Sequence, residues 1–166
     1  MGSGPAEYIH NVFRFAEMEV SDVMVHRTEM FTINADDPPA EMLNAVLKAG
    51  YNRIPLWRDT PENIVGVLHV KHLAQAVLEK GDVGKVDIAI LASEPWFVPD
   101  TTMLEEQLDA FRQRRTQLAL VMNEYGALMG LVTPGDILSE ILGELPDEHR
   151  AKARPHVRER PDGSYL

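Results

Sequence analysis

The residues with most chemical promise gather at two short motifs and one loop. Late in the chain, Gly130-Leu131-Val132-Thr133-Pro134-Gly135-Asp136 sets a hydroxyl and a carboxylate three positions apart. At a strand-to-helix junction, Thr133 can donate and accept a hydrogen bond, while ionised Asp136 only accepts. The free amides and dipole of a helix start also favour an anion. The plainer alternative makes Asp136 a first-turn helix charge, worth well under about 1 kcal/mol at a surface. Earlier, Tyr51-Asn52-Arg53 places a ring, an amide and a guanidinium side by side. Arg53 suits a phosphate as readily as a salt bridge to one of many acids, and Tyr51 suits packing as readily as stacking. His69 and His72 have the spacing of a helical metal pair, but no third ligand is evident.

Other chemistries find no support. There is no Gly-rich phosphate loop, no Gly-x-Ser-x-Gly and no two-histidine zinc protease motif. Without cysteine there can be no disulfide, thiolate metal site or cysteine nucleophile. The acids Glu140, Glu144, Asp147 and Glu148 read as the solvated end of a helix, or a face toward a partner, rather than a catalytic pair. The expectation is a protein that is not an enzyme. A formal net charge of −10 argues against nucleic acid, whose backbone needs a basic stripe. A small phosphate ligand needs only local amides and one arginine. Hydrophobic residues make up 45% and charged residues 25%, an ordinary globular balance. No apolar run approaches the roughly 20 residues that cross a bilayer.

The elements that must position these groups come in two copies. Laid over one another, Pro38–Arg58 and Met103–Asn123 match Leu43 with Leu108, Ala45 with Ala110, and Ile54-Pro55-Leu56 with Ala119-Leu120-Val121. After a one-residue gap in the next turn, Val65-Gly66-Val67-Leu68 lies over Met129-Gly130-Leu131-Val132. Each copy predicts an extended lead-in (Met30–Ile33; Trp96–Pro99), a polar cap, and an amphipathic helix buried through Met42, Leu43, Val46 and Leu47 or through Leu104, Leu108 and Phe111. A strand (Ile54–Trp57; Leu118–Met122), a turn (Asp59–Asn63; Asn123–Gly126), a second strand (Ile64–Leu68; Leu128–Val132) and a second helix (Lys71–Glu79; Pro134–Leu142) complete the copy. The fold class is α/β of the α+β type, two pseudo-symmetric β-α-β-β-α repeats packed as one module. One half alone is too small to bury both faces of its sheet. Ile54, Val65, Val67, Leu108, Leu118, Leu120 and Leu131 are the expected central apolar layer.

These residues resemble the CBS domain pair, or Bateman module, whose signature is Gly-hydrophobic-hydrophobic-Thr-x-x-Asp, here Gly130 to Asp136. More narrowly, the chain is similar to the CBS pair of the CorC/HlyC and CNNM family of magnesium and cobalt efflux-related proteins. The stretches that carry this are Val20–Val25 with Arg27–Met30, Gly50–Pro55, Asn63–Lys71, Asn123–Gly126 and Gly130–Glu140 with Gly143-Glu144. The resemblance implies an adenine nucleotide, AMP or ATP, as regulatory ligand, with magnesium as an open companion. It implies Asp136 on the ribose and Thr133, Asn52 and Arg53 on the phosphates. The base would lie against Val25, Met30, Phe31, Tyr51, Pro55 and Val132. His69 and His72 stand where the second repeat has Thr133 and Asp136. An imidazole cannot accept two ribose hydroxyls as a carboxylate does, so the first-repeat site is expected to be empty or altered. His26 also departs from the family pattern, in which proline is commoner.

The expected organisation is an expression scar and linker helix over 1–19, repeats over 20–82 and 83–146, and a tail with a truncated C-terminal CorC/HlyC domain over 147–166. Met1-Gly-Ser-Gly reads as the scar, and the tail carries Arg150, Lys152, Arg154, Arg158 and Arg160 before Pro161–Leu166. The expected partners are a second copy in a homodimer and the membrane domain of a parent protein, with no nucleic acid. The expected place is the cytoplasmic face of the inner membrane. The rival function is a degenerate CBS pair serving only as a structural dimerisation module.

Overall fold

The structure, a computed structural model, describes residues 15–143. The expected scar, the acids Glu144, Asp147 and Glu148, the basic tail and the Pro161–Leu166 ending lie outside them. In chain order the strands are β1 (Val25–His26), β2 (Ile33–Asn34), β3 (Arg53–Arg58), β4 (Thr60–His69), β5 (Phe97–Pro99), β6 (Ala119–Met122) and β7 (Leu128–Val132). The helices are α1 (Pro39–Ala49), α2 (Val70–Lys80), α3 (Ile88–Leu91), α4 (Leu104–Arg114) and α5 (Pro134–Gly143). The strands form two sheets, ordered β2-β3-β4 and β1-β7-β6-β5. The described residues divide into two compact units: Phe31–Trp96, and residues 15–30 together with 97–143.

In the contiguous unit, Pro39 opens α1, where its missing N–H costs nothing. Gly50, in the left-handed conformation at φ 78°, closes the helix by donating to the Val46 carbonyl. Met42 and Val46 are buried, Leu43 is half-buried, and Leu47 is exposed, so the apolar stripe is narrower than expected. The anticipated loop Asp59–Asn63 is far tighter. The chain reverses at Asp59 (φ 71°) and β4 is already under way at Thr60. β3 and β4 pair from Arg53↔His69 through Leu56↔Gly66 to Trp57↔Ile64. That register leaves Val65 as the extra residue of a bulge, which turns it outward. Val65 is therefore exposed and leaves the expected core, whereas Ile54 and Val67 stay in theirs.

Pro55 sits in the middle strand of this sheet without harm. Its partner Val67 exchanges backbone hydrogen bonds with Ser93 on the other side, at 2.9 and 3.0 Å, so no bond from Pro55 is needed. β2 reaches only Leu56 and Trp57. Ser93 arrives from α3, a short helix not anticipated from the sequence, which buries Ile88 in this unit's core.

The second unit repeats the plan. Asn123 Oδ1 accepts the N–H groups of Tyr125 and Ala127, both at 2.9 Å, and Gly126 takes φ 81°, which together fix the β6–β7 turn. Leu104 and Phe111 of α4 are buried and Leu108 is only half-buried. Leu118, Leu120 and Leu131 are buried as expected. Here too a bulge falls in β7, because Val121 opposes Gly130 and Met122 opposes Leu128. β1 pairs with β7 through Val25↔Leu131 and His26↔Gly130. A Cβ on Gly130 would collide with the Val25 carbonyl oxygen, which explains the glycine. The matching Gly66 faces Ala92 Cβ, 2.9 Å from where its own Cβ would stand. Each repeat's second strand thus holds a segment that precedes the other repeat.

Candidate functional site

Thr133 and Asp136 close on each other at the start of α5. The Thr133 N–H donates to Asp136 Oδ2 at 2.9 Å, and the Asp136 N–H donates to Thr133 Oγ1 at 3.2 Å. This reciprocal pair is a capping box with aspartate in place of the usual glutamate. The two sequence readings of Asp136, helix charge and ligand acceptor, are therefore not exclusive. One oxygen caps the helix and Oδ1 is left to other donors. Asp136 is only 8% exposed and Thr133 is also buried. Burial pushes the Asp136 carboxyl up to about 7, against the two Thr133 hydrogen bonds that pull it down. A carboxylate so placed gains from any donor that replaces lost water.

The same unit brings Val25, Met30 and Val132 near this junction. Val25 and Val132 are buried, and Met30 is half-buried at the end of the 3-10 turn Arg27–Glu29, which packs on β7. The lead-in is fastened further by Val20 N–H to the Thr102 carbonyl at 2.8 Å and Ser21 N–H to the Asp100 carbonyl at 3.1 Å.

The other expected residues belong to the Phe31–Trp96 unit. Phe31 and Tyr51 rings lie 5.4 Å apart, tilted by 37°. Tyr51 is buried, with its hydroxyl unpartnered. Asn52 is exposed, and its carbonyl accepts the Val70 N–H at 3.0 Å, pinning the start of α2 to the head of β3. Pro55 is buried in β3. Arg53 Nε is buried without a hydrogen-bond partner, and burial lowers the guanidinium's affinity for its proton. Sequence reasoning missed that Arg53 stands directly opposite His69. Counting outward along the hairpin from Pro55↔Val67 would have found it. Among the described residues, no group of three His, Cys, Asp or Glu could hold a metal, so His69 and His72 gain no third ligand.

The CBS domain family model matches this chain twice, over residues 20–79 and 86–143. The chain belongs to the CBS domain family. It does so as a CBS pair, similar to those of the CorC and CNNM proteins. It is 30% identical over 159 residues to the magnesium and cobalt efflux protein CorC of Pasteurella multocida, covering 96% of this chain and 52% of that protein. It is 34% identical over 148 residues to a UPF0053 protein of Haemophilus influenzae, covering 89% of this chain and 35% of that protein. This CBS pair thus spans between about a third and about half of these curated relatives. Among solved structures it is similar to the CBS domain of a bacterial CNNM/CorC family Mg2+ transporter in complex with ATP. That match has a TM-score of 0.72 at 30% identity over 84% of this chain and 98% of that one. It is also similar to a CBS-domain pair with bound AMP from Klebsiella pneumoniae, with a TM-score of 0.69 at 34% identity over 76% of this chain and 99% of that one. No described helix is long and apolar enough to cross a membrane.

Proposed function

We propose that this CBS pair is a regulatory module that binds an adenine nucleotide, AMP or ATP, and conveys its occupancy to a membrane transport domain of a longer protein. The observation that carries this is Asp136, a carboxylate buried at the head of α5 with its capping bonds already made. Two ribose hydroxyls suit it well, because each donates a hydrogen bond to a group that burial has deprived of water. Thr133, Asn52 and Arg53 take the phosphates in this reading, and the buried Arg53 Nε lacks a partner as a phosphate ligand would require. Val25, Met30, Phe31, Tyr51, Pro55 and Val132 line the base slot. The ATP and AMP complexes of similar CBS domains support the ligand class. The relatives' names support efflux of magnesium or cobalt by the parent protein and its place in an inner membrane, and this reading puts the CBS pair on the cytoplasmic face.

A nucleotide that binds only the folded state stabilises it by about 2.7 kcal/mol at a hundredfold excess over its dissociation constant. Regulation follows if two states of the parent bind the nucleotide unequally. Calorimetry with AMP and with ATP, each with and without magnesium, is the test. Heat with one nucleotide and a raised melting temperature is the expected result. No heat and no melting shift at millimolar nucleotide would leave the alternative, a CBS pair that serves only as a structural dimerisation module.

Dimerisation belongs to both readings. Leu78 on α2 and Leu138 and Leu142 on α5 are exposed apolar residues on helices, 83%, 47% and 54% accessible. Apolar helical faces of this kind favour a twofold pairing of identical copies. Light scattering at tens of micromolar should give twice the chain mass, and a monomer would refute it.

A further inference from the structure

The first repeat gathers cationic groups where the second gathers a hydroxyl and a carboxylate. Arg53 begins β3 opposite His69, the last residue of β4. His72, in the first turn of α2, stacks its ring on that of His69, with centroids 5.0 Å apart and planes 19° from parallel. Ser93 Oγ lies 3.2 Å from His69 Nε2 and 3.2 Å from the Val67 carbonyl oxygen. With the hydroxyl proton on the Val67 carbonyl, His69 Nε2 donates to Ser93 and Nδ1 is the atom that gains a proton; with it on Nε2, the roles exchange. Burial first, and then Arg53 and His72, hold His69 below the ordinary imidazole value. Arg53 Nε is buried without a partner, and neither Arg53, His69 nor His72 forms an ion pair with a carboxylate among the described residues.

Three groups that carry or can take positive charge therefore converge without a counter-ion. Their natural complement is an oxyanion with several acceptor oxygens, since guanidinium and protonated imidazole are both pure donors. We infer that Arg53, His69 and His72 form a phosphate-class oxyanion site in the Phe31–Trp96 unit, one that takes the anion without requiring a nucleoside. His72 stands where Asp136 stands in the second repeat, and replacing that carboxylate exchanges a ribose acceptor for an anion donor. The inference shares Arg53 with the nucleotide reading above but does not use Asp136. The charged side chains nearest in sequence to these groups are Lys71 on α2 and Glu94 next to Ser93, both exposed.

The test follows the histidine ring signals of the full chain by nuclear magnetic resonance, while inorganic phosphate replaces chloride at constant ionic strength. Both rings should shift their signals in phosphate, and His69 should titrate about one pKa unit higher, the usual effect of a neighbouring opposite charge. A shift of that size limits the linked gain in phosphate affinity to about tenfold per titrating ring over the whole histidine range. Arg53→Gln should abolish the response of both rings, and His72→Gln, at an exposed position, should weaken that of His69 without threatening the fold. AMP should move the rings as phosphate does, and adenosine should leave them unmoved. Equal responses to chloride and phosphate, or a response that survives both substitutions, would overturn the site. So would adenosine acting as strongly as phosphate, which would make the cluster a nucleoside site. Asp136→Ala separates the two readings: it should remove the nucleotide heat while the rings still answer to phosphate, and nucleotide heat unchanged in that variant would fail the ribose assignment alone.

Discussion

The two strand–helix junctions of this CBS pair share a backbone plan and differ in chemistry. In the second, Thr133 and Asp136 cap α5 and leave a buried carboxylate oxygen for further donors. In the first, His69 and His72 stack at the head of α2, and no side chain caps that helix. The strands that lead in are alike down to the bulge and the crowded glycine, Gly66 or Gly130. The two copies share the parts that hold the polypeptide together and differ in the side chains at the strand–helix junctions. An acceptor-rich junction and a donor-rich junction are the result.

The largest expected effect sharpens that contrast. Asp136→Ala should remove two ribose bonds of about 1.5–3 kcal/mol each, weakening AMP or ATP at least about a hundredfold in calorimetry. His72→Gln should leave the heat attributed to Asp136 nearly unchanged. Equal losses from the two substitutions would break the distinction between the junctions.

A pH dependence comes next. The Asp136 carboxyl is raised to about 7 in the fold, against about 3.9 in an unfolded chain. Between those values the folded state holds more protons than the unfolded one. Stability therefore falls as pH rises from about 4 to about 7 and levels off above, by an amount on the order of 4 kcal/mol. Asp136→Asn should flatten that slope in denaturant titrations, and an unchanged slope would remove the buried carboxyl as its cause. Ribose hydroxyls favour the ionised form, so nucleotide affinity should rise with pH up to about 7.

A smaller effect tests the shared scaffold. Gly130→Ala drives a methyl into the Val25 carbonyl and should cost about 2–3 kcal/mol. Gly66→Ala meets the Ala92 methyl instead, which can yield more easily, and should cost about 1–2 kcal/mol. Unfolding midpoints in urea decide the order, and a reversed order would mean the two glycines are not held by the contacts seen here. The smallest effect is His72→Asp, which should change nucleotide binding only through Arg53, the group the two readings share, and so by far less than the loss of Asp136. A second calorimetric event would show that the carboxylate alone restores a nucleoside acceptor to the first repeat.

Much of this was legible because repetition doubles every signal. The helix start at Pro134, the Asn123–Gly126 turn and the paired glycines all stand out in the sequence. What escaped depends on pairing rather than pattern. Val65 reads as a core position until the register makes it a bulge, and Leu47 lies just off the buried stripe of α1. Ile88–Leu91 is too short for helical periodicity to show itself. At the site, the Thr133–Asp136 spacing announced a helix start, yet the reciprocal bonds that settle both residues belong to geometry. Arg53 was singled out for its charge, and its place opposite His69 became visible only with the hairpin register.

The exchange of lead-in segments also sets an order of events during synthesis. The Phe31–Trp96 unit is contiguous, so every residue it needs has been translated once Trp96 has left the ribosome. The other unit cannot seat β1 until Gly130 and Leu131 exist, because they are the partners of His26 and Val25. Early residues must therefore wait, unpaired, while the middle of the protein completes itself, and such distant closures are the slow ones. Val25 and His26 should accordingly stay open to protease in nascent chains until Gly130 and Leu131 have emerged.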